Sequence, residues 1–240
     1  MKNKRGQITI FIIVAILIIG AVALFFTFRG NIQKEVYTPE VAPIKNFVGE
    51  CIEDTAEEVI YNVGQGGGHY FPPEKSTETG IAYYLIGNRS YMPSKENIEK
   101  EISFFISEKL FFCTRNFVDF SEYEISQGEI RTKTKILENE VLLNVDYPLM
   151  IKKGESVLRI KNFEIEIPVR AGLIYDSVFG FISQGAEQGI CLTCLSNISE
   201  TNDLYDDMFD YDNETTIFIF KDENSQLNEK PFEWVFANKY

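Results

Sequence analysis

Histidine is almost missing from this chain of 240 residues: His69 is the only one. Zinc sites commonly take four cysteine or histidine ligands at close spacing. One histidine and four scattered cysteines supply no such set, so no metal site is expected. Nor does the sequence single out a serine or cysteine as a nucleophile for His69 to activate, and no catalytic residue is nominated. Phosphate and cofactor signatures are lacking too. The stretch GQGGGHYFPP follows a helical pattern, not a strand, and has no lysine where a P-loop needs one. It reads as a helix C-cap and turn, and no cofactor is expected. Basic residues are outnumbered, 23 against 36 acidic, for a formal charge of −13. That balance repels phosphate backbones and excludes nucleic acid as an expected partner. There is no internal repeat.

One long uncharged apolar run is present, over residues 8–28. As a helix it reaches about 31 Å, which matches a bilayer core of about 30 Å. A cleaved secretory leader has an apolar region of roughly 7–15 residues and then a small-residue site. Phe25-Phe26-Thr27-Phe28 offers no such site. The run is therefore expected to be retained as a transmembrane helix. Lys2, Lys4 and Arg5 precede it and Arg29 closes it. The positive-inside rule then puts residues 1–7 in the cytoplasm and the rest outside a single-pass cell-membrane protein. Beyond residue 30 the chain carries a net charge of −17.

Residues 29–43 form a linker, because Pro39 and Pro43 rule out one unbroken helix. Residues 44–240 form the expected extracytoplasmic domain. Ile44, Phe47, Val48, Cys51, Ile52, Thr55, Ala56, Val59, Ile60 and Val63 recur at helical spacing up to the glycines at 64–68. A second helix starts after Ser94, a good N-cap, and runs to about Arg115. Its inward face is Ile98, Ile102, Phe105, Ile106, Lys109 and Cys113. The period then falls to two, and turns at Gln127-Gly128, Glu138-Asn139 and Lys153-Gly154 predict an antiparallel meander of three or four strands. A third helix fits 172–186, with Ile174, Val178, Phe181 and Ile182 inward. Strands fit 215–220 and 232–237. The expected fold class is α+β, with helices packed on an antiparallel sheet.

Four cysteines outside a membrane favour disulfides. Cys51 and Cys113 lie on the apolar faces of two helices, so a bridge would staple them; two buried thiols are the alternative. Cys191 and Cys194 form CLTC, with three readings. A redox dithiol needs its first cysteine at a helix N-terminus, whereas this motif follows a helix and leads into the polar stretch SNISETND, read as a loop. Zinc lacks ligands. A local disulfide or structural thiols remain the preferred reading. The stretch ETNDLYDDMFDYDNET, with Asp203, Asp206, Asp207, Asp210 and Asp212, lacks the EF-hand order and reads as a solvated acidic loop. Asn88, Asn197 and Asn213 stand in glycosylation acceptor triplets.

Lys4-Arg5-Gly6-Gln7 directly before an apolar helix resembles the class III signal of archaeal type IV pilins and archaellins. That resemblance implies a prepilin-type peptidase as a partner, a cut between Gly6 and Gln7, and a mature helix QITIFIIVAIL that packs in a filament. It covers about the first 28 residues. Phe11 stands where many bacterial pilins have glutamate, and the prolines interrupt a helix that pilins continue into the head. The whole chain is similar to single-span membrane proteins of small-genome archaea with the same KRGQITIFII-like start, a similarity that implies no activity. The expected function is thus a membrane-anchored, non-enzymatic structural or interaction protein. Its expected partners are the lipid bilayer, further copies of itself or other surface proteins, and it is a pilin-like subunit if cut. The alternative is an extracytoplasmic thiol-disulfide oxidoreductase using CLTC.

Overall fold

The computed structural model describes residues 41–185 and 190–240. The expected transmembrane run, Gly6, Gln7 and the linker up to residue 40 lie outside the described residues. Among the described residues, no helix is long and apolar enough to cross a membrane. The described chain is α+β, with four α-helices and nine strands in two sheets.

Helix α1 (Ala42–Gln65) takes in Ala42 and Pro43, which were expected in the linker, and buries the face read from its periodicity, from Ile44 to Val63. Proline is tolerated in the first turn because its missing N–H has no intrahelical partner there. At the other end Gly64 lies against strand β9 (Lys230–Lys239): a Cβ there would stand 2.5 Å from the Glu233 carbonyl and 2.6 Å from the Phe232 ring. Helix α2 (Lys95–Thr114) is capped by Ser94, whose side chain accepts the Asn97 N–H at 3.3 Å. Its buried face is Ile98, Ile102, Ile106, Leu110 and Thr114. Lys109, expected inward, instead pairs with Glu58 at 2.7 Å. Burying its ammonium would cost far more than the stem gains.

The first sheet has the order β2-β1-β9-β8-β7, from β1 (Tyr83–Ile86), β2 (Arg89–Ser90), β7 (Tyr205–Asp210) and β8 (Thr215–Leu227) with β9. All its pairings are antiparallel except β1 with β9. Its core is aromatic. Phe218 and Phe236 are direct cross-strand partners with rings 5.2 Å apart, and Tyr84 stacks on Phe236 at 4.5 Å. Helix α3 (Ala171–Gly185) covers this face through Phe181, 5.4 Å from Phe218, and Tyr175, 6.4 Å from Trp234.

The second sheet departs from the expected meander. Strands β3 (Glu124–Gln127) and β4 (Arg131–Ile136) both pair antiparallel with β5 (Val141–Lys153), one after the other along the same edge. Gln127-Gly128 is therefore a step in one edge, not a reversal. The cause is Pro148. β3 ends opposite Leu149 and β4 begins opposite Asp146, so the proline, with no N–H to give, sits in the gap. Gly128 N–H donates to the Pro148 carbonyl at 2.7 Å. Strand β6 (Ser156–Ile167) runs along the opposite edge of β5.

The outer edge of β4 is covered by side chains of α2. Ser107 accepts the Thr132 N–H at 3.0 Å, Ser103 that of Thr134 at 2.9 Å, and the Glu99 carboxylate that of Ile136 at 3.0 Å. Helix positions i, i+4 and i+8 share one face, and here they replace a missing neighbour strand.

Two expectations fail near the C-terminus. SNISETND is helical through Asn202, within α4 (Leu192–Asn202) with Asp203 as its C-cap, and the acidic stretch contains the edge strand β7 rather than being all loop. Helix α4 buries only Leu195, so its apolar pattern is too weak to read. Tertiary contacts hold it instead: Arg170 donates to the carbonyls of Asn202 at 2.9 Å and Asp203 at 3.0 Å, its last turn.

Candidate functional site

Helix α2 carries two Phe-Phe doublets, Phe104-Phe105 and Phe111-Phe112, seven residues apart. Consecutive helical residues point about 100° apart, so a doublet cannot bury both rings. The inward side of α2 is taken by its isoleucines and by the polar ladder on β4. Phe104, Phe111 and Phe112 are left outside, with Phe112 73% exposed. The loop after α1 extends this surface. Phe71 is 65% exposed and stands edge-on to Phe105 at 5.3 Å, while Tyr70 stacks on Phe105 at 4.1 Å. Lys109 lies 5.5 Å from the Tyr70 ring, a cation over its face. Past the helix, Val118 is exposed as well.

Contacts with Glu101 fix this loop. His69 Nδ1 lies 3.4 Å from Glu101 on α2, and the same carboxylate accepts the Tyr70 N–H at 2.6 Å. Burial raises the Glu101 carboxyl, but His69 and the Tyr70 amide together outweigh it and hold the carboxyl below its ordinary value. The one histidine thus anchors an aromatic loop to a helix. The glycine loop before it has its polar groups occupied. Gly66, Gly67 and Gly68 N–H groups bond to Asn62, Gly64 and Val63 carbonyls, and Tyr84 donates to the Gly67 carbonyl at 2.9 Å while accepting from Trp234. Gly67 and Gly68 take φ of +60° and +84°, where a side chain is strained.

The cysteines form two bridges. Cys51–Cys113 joins α1 to α2 across a sequence separation of 62. Cys191–Cys194 closes a local loop with a separation of 3. Contrary to the loop reading of CLTC, Cys191 is the N-cap of α4, and its sulfur accepts the Cys194 N–H at 3.2 Å.

The remaining sequence candidates are dispersed. Asn88 and Asn213 sit in exposed turns and Asn197 on the exposed side of α4. Asp206 accepts from Ser199 and Asp210 from Thr216. These carboxylates mark the outer edge of the first sheet, where charge discourages strand addition. Among the described residues no three His, Cys, Asp or Glu side chains group as a metal site. The exposed phenylalanines were not singled out by sequence reasoning, although the doublets were the available signal. Comparison with known protein families, characterised proteins and solved structures finds no match for this chain.

Proposed function

We propose that this chain is a membrane-anchored, extracytoplasmic interaction protein that meets a second protein, or another copy of itself, through the aromatic face of α2. The observation that carries this reading is Phe71, Phe104, Phe111, Phe112 and Val118 exposed together on an acidic domain. Soluble domains rarely leave such rings uncovered without a use for them, and aromatic side chains are enriched where proteins meet. Two disulfides in one domain support a compartment outside the cytoplasm. The apolar run over residues 8–28 supplies the anchor in this reading. A permanent anchor is preferred to a polymerised pilin because Pro39 stands in the sequence between that run and α1.

The test is the intact mass of the protein extracted from native membranes, with and without protease added outside the cells. An uncut start at Met1, together with loss of the domain to external protease, is the expected result. A start at Gln7 converts the reading to a pilin-like subunit. Recovery of the chain in the soluble fraction, or protection of the domain in intact cells, overturns it.

A further inference from the structure

The two disulfides do different physical jobs. In the chain-entropy account, a bridge across 62 residues removes far more freedom from the unfolded chain than one across 3. Cys51 is 2% exposed, inside the helix pair. Cys191 and Cys194 are half-buried, and the residues between them, Leu192 and Thr193, are exposed. The second bridge is a weak staple placed where another molecule can reach it.

Its two sulfurs are also unlike each other. Cys191 Sγ caps α4, accepts the Cys194 N–H at 3.2 Å and lies 3.5 Å from the Thr193 hydroxyl. No acidic residue stands in the first turn of that helix. A thiolate at Cys191 would face an N–H, an O–H and the positive end of the helix dipole. Cys194 Sγ lies 3.8 Å from Gln184 Oε1, an acceptor that favours a protonated thiol.

We propose that Cys191–Cys194 is a redox-active disulfide that oxidises the dithiol of a polypeptide reaching it over the exposed Leu192 and Thr193. A substrate thiolate attacks Cys191 Sγ, forming a mixed disulfide and breaking the Cys191–Cys194 bond. The electron pair goes to Cys194 Sγ, which takes a proton from solvent and holds it toward Gln184. The second substrate thiol loses its proton to solvent and attacks the substrate sulfur of the mixed disulfide. Cys191 leaves as a thiolate, stabilised by the helix N-terminus. The substrate dithiol loses two electrons and becomes a disulfide; CLTC gains them and becomes a dithiol. The exchange is independent of how the chain meets the membrane or what covers α2.

The test uses the full chain in non-ionic detergent. It is equilibrated with graded ratios of reduced to oxidised glutathione, quenched in acid, alkylated and assigned by peptide mass. The expected midpoint for Cys191–Cys194 comes at a reducing ratio at least about tenfold lower than that for Cys51–Cys113. Coincident midpoints, or Cys51–Cys113 opening first, overturn the proposal. The second measurement compares C194S with C191S for mixed-disulfide formation with oxidised glutathione, each with Cys51–Cys113 verified as intact. C194S is expected to react at least about tenfold faster. A smaller ratio removes the asymmetry on which the exchange rests.

Discussion

Replacing Cys51 and Cys113 together by alanine should be strongly destabilising without disturbing a strand. The bridge joins α1 to α2 with 62 residues between its ends, and the freed unfolded chain regains about 4 kcal/mol of loop entropy. That is a large share of the 5–15 kcal/mol or so that holds a typical domain folded. Trp234 provides the assay. It is the only tryptophan, is fully buried, and donates to Tyr84 at 2.9 Å, so its fluorescence reports the core of the first sheet. Urea titrations of the full chain in detergent, with and without the double substitution, give the difference. Alanine at Cys191 and Cys194 is the internal control, because a separation of 3 predicts a loss under about 2 kcal/mol. Equal losses for the two pairs would refute the reasoning. They would mean that α1 and α2 stay together in the unfolded chain, or that the energy of each bridge is not set by the loop it closes. An unchanged denaturant slope is also expected; a changed slope would place the effect in the compactness of the unfolded state.

Asp222 is fully buried and receives Arg170 Nε at 2.8 Å, the Ser225 hydroxyl at 2.5 Å and the Asn224 N–H at 3.0 Å. Asp222→Asn should cost about 3 kcal/mol, since it strands a guanidinium that has little water of its own, and urea midpoints at neutral pH check it. Burial raises the Asp222 carboxyl, but Arg170, Ser225 and Asn224 outweigh that and hold it below its ordinary value, as His69 and Tyr70 do for Glu101. A depressed carboxylate stabilises the fold above the unfolded value near 4 and loses that contribution as pH falls through its folded value. Stability should therefore drop in acid, and Asp222→Asn should flatten that acid limb. Ser103→Ala with Ser107→Ala should cost about 1–3 kcal/mol per strand amide left without its acceptor. Hydrogen exchange at Thr132 and Thr134 should rise while that of Val145 in β5 stays slow, and unchanged exchange at both threonines would refute the covered-edge account.

Elements that carry their own signal were legible in the sequence. The faces of α1 and α3 could be read because each packs one continuous apolar stripe, and Ser94 announced α2 by a bond to its own helix. The odd-numbered residues of β5 from Val141 to Ile151 are buried in strict alternation, which is why its hairpins with β4 and β6 were foreseeable. What failed depends on partners far along the chain. Helix α4 is polar and short, and it is fastened by Arg170 from the other side of α3. Strand β7 exposes nearly every side chain, so only its ladder to β8 makes it a strand. The proline in β5 reads as a breaker until β3 and β4 are seen to share its edge in succession. The same division governs the candidate sites. The pairing of Cys51 with Cys113 could be argued from two helix phases, whereas the chemistry of Cys191 turns on whether a helix starts after it. That start is set by no apolar pattern in SNISETND but by a sulfur cap at one end and an arginine from elsewhere at the other. The outward phenylalanines of α2 follow the same logic: each doublet guarantees that one ring faces away from the core, and only the Ser103, Ser107 and Glu99 contacts to β4 decide which.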